Sequence, residues 1–143
     1  MRLIRYTLLI IIMLTLTGVK ASAKGTVSPQ GYMFGFVANF SDSVVYITDI
    51  QTVDSVWYDS KTKFLLGRSN YSNQLRNYFS EKLNMPYRTC IVVFALNRKD
   101  IEKKYLKMKK LYTVKNAGRY DVKNLTESEF RFKPVNMAPV EEQ

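Results

Sequence analysis

The chain has no histidine, one cysteine, four prolines and six glycines in 143 residues. Without histidine there is no Ser-His-Asp or Cys-His catalysis, and most zinc and non-haem iron sites are excluded. A single cysteine, Cys90, forms neither an internal disulfide nor a redox pair, so stability has to come from packing. The glycines are scattered at 18, 25, 31, 35, 67 and 118, so there is no P-loop and no dinucleotide fingerprint. Acidic residues are scarce as well: 12 Asp and Glu against 22 Lys and Arg, a formal net charge of +10.

Only the N-terminus carries a long apolar run. Arg2 and Arg5 precede "TLLIIIMLTLTGV", Thr7 to Val19, and "ASA", Ala21 to Ala23, ends it. A basic start, a short apolar core and an A-x-A end predict a secretory signal peptide over residues 1–23. The run is shorter than the roughly 20 residues of a spanning helix, so no transmembrane anchor is expected once the signal is cut. Loss of Arg2, Arg5 and Lys20 would leave a mature charge of +7. A basic exported domain favours anionic partners, such as a surface polymer or an acidic exported protein, and export argues against nucleic acid. The expected location is the periplasm or the outside of the cell.

The mature chain suits one domain. A flexible leader is expected over 24–30, a single α/β domain over 31–135, and a frayed polar tail over 136–143. "GYMFGFVANF" alternates with period two. Tyr32, Phe34 and Phe36 fall on one face, Met33, Gly35 and Val37 on the other, which predicts a strand. "SDS", Ser41 to Ser43, is a turn, and "VVYITDI" a second strand closing a hairpin. Residues 51–68 mix strand and turn formers. They fit a second hairpin turning at Asp59 to Thr62, or a short helix and loop. An irregular segment with a little strand is the preferred expectation.

Two helices follow. Tyr71, Leu75, Tyr78 and Phe79 recur at helical spacing after Ser69, a candidate N-cap; Asn84 and Pro86 mark the end. "RTCIVVFAL", Arg88 to Leu96, reads as a central strand covered on both faces, with Cys90 buried as a small hydrophobe. Asn97 caps the second helix, and Ile101, Tyr105, Met108 and Tyr112 share one stripe. "RYDVKNL" predicts a short strand, and "ESEFRFKPV" another or an extended edge. The expected fold is α/β (α+β): a small mixed sheet of about four strands, order β-β-loop-α-β-α-β, with two helices packed on it. Strand-helix-strand units require parallel pairing with right-handed crossovers.

The remaining chemistry is carboxylate and lysine chemistry. Asp49, Asp54 and Asp59 recur every five residues, a spacing that does not make carboxylates converge as hydrolysis or a hard cation requires. Lys99, Lys103, Lys107 and Lys110 form a stripe opposite the apolar face of the second helix. It is a solvated face or a contact for an anionic surface. No cofactor, metal site or catalytic group is expected.

"DSVVYITDIQTVDSVWYD" contains Asp-Ser-Val-x-Tyr twice, twelve residues apart. Two copies at that period do not make a solenoid. Asp and Ser side chains bonding nearby backbone make turn chemistry the main reading. "VVYITDIQ" and "MPYRTCIVVFALNRKDIEKKYLKMKKLY" resemble small exported proteins of unknown function of the Bacteroidota type. That resemblance implies O-glycosylation at Asp-Ser-aliphatic tripeptides, with Ser43 and Ser55 as candidate acceptors. Asn39, Asn70 and Asn124 stand in N-x-S/T sequons, which matter only in a host that glycosylates asparagine. The stretch from Arg88 to Tyr112 is also similar in layout to half of a SPOR-type peptidoglycan-binding domain. The leading expectation is an exported non-catalytic binding or accessory domain. The alternatives are a cell-wall or anionic-glycan-binding module and a small carboxylate hydrolase.

Overall fold

A computed structural model describes residues 25–139; the expected signal peptide and the last four residues lie outside the described residues. The elements in chain order are β1 (Gly25–Ala38), β2 (Val44–Thr48), β3 (Gln51–Asp59), α1 (Arg68–Glu81), β4 (Thr89–Ala95), α2 (Arg98–Lys110), a π-helical turn (Leu111–Lys115) and β5 (Asp121–Leu125). The protein is an α/β domain with a five-stranded mixed sheet and two helices.

β1 organises the sheet. It pairs antiparallel with β2, β3 and β4, while β5 pairs parallel with β2. Tyr32 and Met33 face both β3 and β4, and Phe36 and Val37 face both β2 and β4. β4 therefore occupies one edge of β1, and β2 and β3 share the other. β2 and β3 are one hairpin arm with a bulge between them: three residues, Thr48 to Ile50, oppose Phe34 and Gly35.

β3 and β4 are both antiparallel to β1, hence parallel to each other, and α1 links them across β1. α2 then links β4 back across the sheet to β5. Crossovers of one hand running in opposite directions must lie on opposite faces. The core is divided accordingly. Met33 and Val37 pack with Tyr71, Leu75 and Phe79 of α1, all of them fully buried. Phe34 and Phe36 pack with Ile101 of α2 on the other face, joined by the partly buried Tyr105, Met108 and Tyr112.

After β5 the chain runs as an extended strap. Phe130 and Phe132 plug the α1-side core. Two glutamines hold the strap as a neighbouring strand would. Gln51 donates from Nε2 to Phe130 O and accepts from Phe132 N, both at 2.8 Å. Gln74 donates to Lys133 O at 2.9 Å and accepts from Lys133 N at 2.8 Å.

Four expectations need correction. The leader is not loose: Gly25 to Gln30 is paired with β3 from Gly25–Asp59 onward. Residues 51–59 are a full strand. The reason they do not read as one is local. At Ser55 the backbone is left-handed (φ 51°), opposite Pro29, which has no N–H to donate. The buried positions jump there from Val53 to Val56, which breaks the period of two. β4 is an edge strand of the described sheet, and β1 is the central one. Ser69 is not the N-cap of α1; Gly67 holds that place at φ 71°, with no side-chain cap. In the tail, residues 136–139 are exposed, yet Met137 is not free-hanging: its Sδ would lie 3.0 Å from a Cβ on Gly67.

Candidate functional site

The three aspartates do not form a site. Asp49 accepts from Asn124 Nδ2 at 3.0 Å and from the Glu127 N–H at 3.1 Å, tying the bulge to β5 and the strap. Asp54 is exposed on β3. Asp59 accepts from the backbone N–H groups of Lys61 and Thr62 at 2.8 and 2.9 Å, and these bonds, Thr62 foremost, lower its pKa. Ten residues of nearly extended chain separate Asp49 from Asp59, about 30 Å at the rise of a strand. Among the described residues no group of three His, Cys, Asp or Glu could hold a metal.

The geometry instead favours the carboxyl end of β4, where the chain turns into α2. A crevice opens there between the β4–α2 junction, Phe94 to Asn97, and the turn that follows β3. It has a volume of about 530 Å³. Lys63, on the turn after β3, borders it from one side, and Lys103 and Lys104 of α2 border it from the other. Asp100 is the one acidic residue on its lining. The crevice is therefore basic, three lysines to one carboxylate.

Each lysine is positioned by local chemistry. Lys63 sits at φ 62°, its N–H bonded to Asp59 O at 2.8 Å and its Nζ 5.5 Å from the centre of the Tyr58 ring. Lys104 Nζ donates to Phe94 O at 3.0 Å. Asn97 caps α2 as expected, accepting from the Asp100 N–H at 2.9 Å, and its own Nδ2 donates to the Asp100 carboxylate at 2.8 Å. That reciprocal bond occupies part of the helix terminus. A bound anion would consequently be met by lysine side chains rather than by the α2 backbone.

Lys99, Lys103, Lys107 and Lys110 are all exposed, as the stripe implies. They do not act as one set. Lys103 lines the crevice, Lys107 borders a separate groove beside β4, and Lys99 and Lys110 line neither. Ser43 and Ser55 are exposed. Asp42 beside Ser43 is engaged, bonding the Val44 N–H at 3.0 Å and Arg88 Nη2 at 2.7 Å. Asp54 beside Ser55 has no such partner among the described hydrogen bonds. Of the sequon asparagines, Asn70 is exposed in α1, Asn39 is half-buried, and Asn124 is bound to Asp49.

Lys63 and Lys104 escape sequence reasoning for different reasons. Lys63 lies in the stretch whose strand is disguised by Ser55. Lys104 stands between the two stripes of α2, where helical spacing alone assigns it no partner. Compared with protein-family models, with curated proteins and with solved structures, the chain matches none. No helix among the described residues is long and apolar enough to cross a membrane.

Proposed function

We propose that this is an exported, non-catalytic binding domain that takes an anionic group of an envelope polymer into the basic crevice. The observation that carries the reading is the convergence of Lys63 with Lys103 and Lys104 on one concavity, from two segments far apart in the chain. Phosphate or carboxylate groups of a glycan or wall polymer fit three lysines facing a concavity that only Asp100 opposes. Lysine is a point charge with rotatable donors, so it favours charge and tolerates varied geometry. That suits a repeating polymer better than one shaped metabolite. Export is part of the proposal, resting on the basic, apolar and A-x-A succession of residues 1–23.

The test joins location to binding. The protein from an envelope fraction should start at Lys24 and be retained by purified sacculi at low salt. Retention should fall as salt rises, because exposed charges are screened over about 8 Å at physiological ionic strength. An uncut N-terminus, or sacculi that retain nothing at low salt, defeats the reading.

Ser55 adds a subsidiary proposal, as the O-glycan acceptor favoured over Ser43. It is exposed at a left-handed position, and its neighbour Asp54 has no bonded partner among the described residues, whereas Asp42 beside Ser43 is held by Arg88 at 2.7 Å.

A further inference from the structure

The second feature of the surface is the outer edge of β4. Along a strand, the N–H and C=O of alternate residues point to alternate edges. In β1 the Gly35 N–H points toward β2, where it meets Thr48 Oγ1 at 2.8 Å. Phe34 and Phe36 therefore point to β4, opposite Val93 and Ile91. It follows that the backbone groups of Cys90, Val92 and Phe94 point away from the sheet. Lys104 Nζ reaches Phe94 O from that side. Among the described residues no backbone group pairs with the others.

Such an edge invites another strand, and natural edges are usually blunted by charge, proline or a covering loop. Here the blunting is partial. Lys104 takes one carbonyl, and "TCIVVFA" contains no charge and no proline. The α2 side of the edge is also apolar and incompletely covered. α2 packs over β4 and β1, yet it leaves Ile91 42% exposed and Leu111 42% exposed. Val93, Met108 and Leu111 line a groove of about 290 Å³ beside the edge. A second depression of about 290 Å³, lined by Phe40, Ile91 and Tyr120, lies at the other end of β4. Ile91 and Val93 are two residues apart, roughly 6.6–6.8 Å, which is the side-chain repeat of one face of a strand.

Lys104, Lys107 and Lys115 border the groove. This charge decides the occupant. Two copies pairing β4 to β4 would bring these lysines together, and like charges juxtaposed across an interface disfavour it. A segment with apolar side chains and carboxylates at its ends meets both the groove and its rim.

We infer that the outer edge of β4 is a docking site for an extended segment of a partner protein, apolar in alternate positions and acidic at its flanks, added to the sheet as a further strand. Main-chain bonds to Cys90, Val92 and Phe94 would supply affinity, and the two depressions would select alternate side chains. The site is separate from the basic crevice, although Lys104 borders both.

The probe is a synthetic peptide of alternating valine and threonine with a glutamate pair at each end. Its counterpart carries lysine pairs instead. Binding of the glutamate peptide should slow amide exchange at Cys90, Val92 and Phe94. The lysine peptide should bind at least about tenfold more weakly. Leu111→Glu, an exposed substitution in the groove, should weaken the glutamate peptide by a similar factor and leave polyanion binding at the crevice unchanged. Equal binding of the two peptides overturns the inference, as does no added protection at Val92. Protection of Val92 that appears without peptide and grows with protein concentration would make a second copy the occupant, and also overturns it.

Discussion

The backbone N–H of Gly35 donates to the hydroxyl of Thr48 at 2.8 Å, inside the core. The bulge at Thr48 to Ile50 withdraws the usual strand partner, and a fully buried threonine takes its place. Thr48→Val keeps the shape and removes the acceptor. An unsatisfied buried donor costs about 1–3 kcal/mol, so the variant should lose that much stability in denaturant unfolding. Gly35→Ala tests the same junction by volume. A Cβ there would lie 2.5 Å from Leu75 Cδ2, and overpacking a tight core typically costs about 1–3 kcal/mol.

Gln51 is fully buried and bonds both Phe130 O and Phe132 N. Gln51→Leu leaves a carbonyl and an N–H of the strap without partners. The strap should loosen before the sheet does. Limited proteolysis within 126–139 and fast amide exchange at Phe132 should report it while β1 stays protected.

The two helices should differ in how much their side chains matter. Leu75 of α1 is fully buried, and Leu75→Ala should cost about 2–5 kcal/mol. Met108 of α2 is only partly buried, so Met108→Ala should cost less, about 1–2 kcal/mol. Lys103→Ala and Lys107→Ala should each change stability by no more than about 0.5 kcal/mol. Chemical denaturation of the four variants checks the order; costly lysines with a tolerant Leu75 would contradict the helix orientations.

Burial pushes the Cys90 thiol up from 9.0 to about 11, with Arg76 and Arg88 pulling weakly the other way. The unfolded thiol therefore ionises first as pH rises, while the folded one keeps its proton. Stability is unaffected below about pH 9 and declines between 9 and about 11. Cys90→Val should flatten that part of the stability profile relative to the parent. In the native state at pH 8, iodoacetamide should label Cys90 only at the rate of unfolding.

Most of the fold is legible in the sequence because most elements carry a clean period. Phe34 and Phe36 against Met33 and Val37 give the strand, and Asn97 followed by Ile101 and Tyr105 gives the second helix. β3 is hidden because one residue, Ser55, breaks the alternation, and with β3 goes the position of Lys63. The apolar run of β4 reads as central because helices flank both its faces. Which edge is open depends on pairing with β1, and a single strand's sequence does not encode that. The site is less legible still, since Lys63 and Lys104 are some forty residues apart and are brought to one crevice only by the tertiary fold.

The central claim is that charge acts at one place, the crevice, and not over the whole basic surface. Calorimetric titration with inorganic polyphosphate tests it directly, using two double variants of equal net charge. Lys63→Gln with Lys103→Gln removes two crevice lysines; Lys99→Gln with Lys110→Gln removes two lysines elsewhere on α2. The account predicts that the first pair weakens binding by at least about tenfold, while the second stays within about twofold of the parent. Equal losses from both pairs, or none from the first, would contradict it.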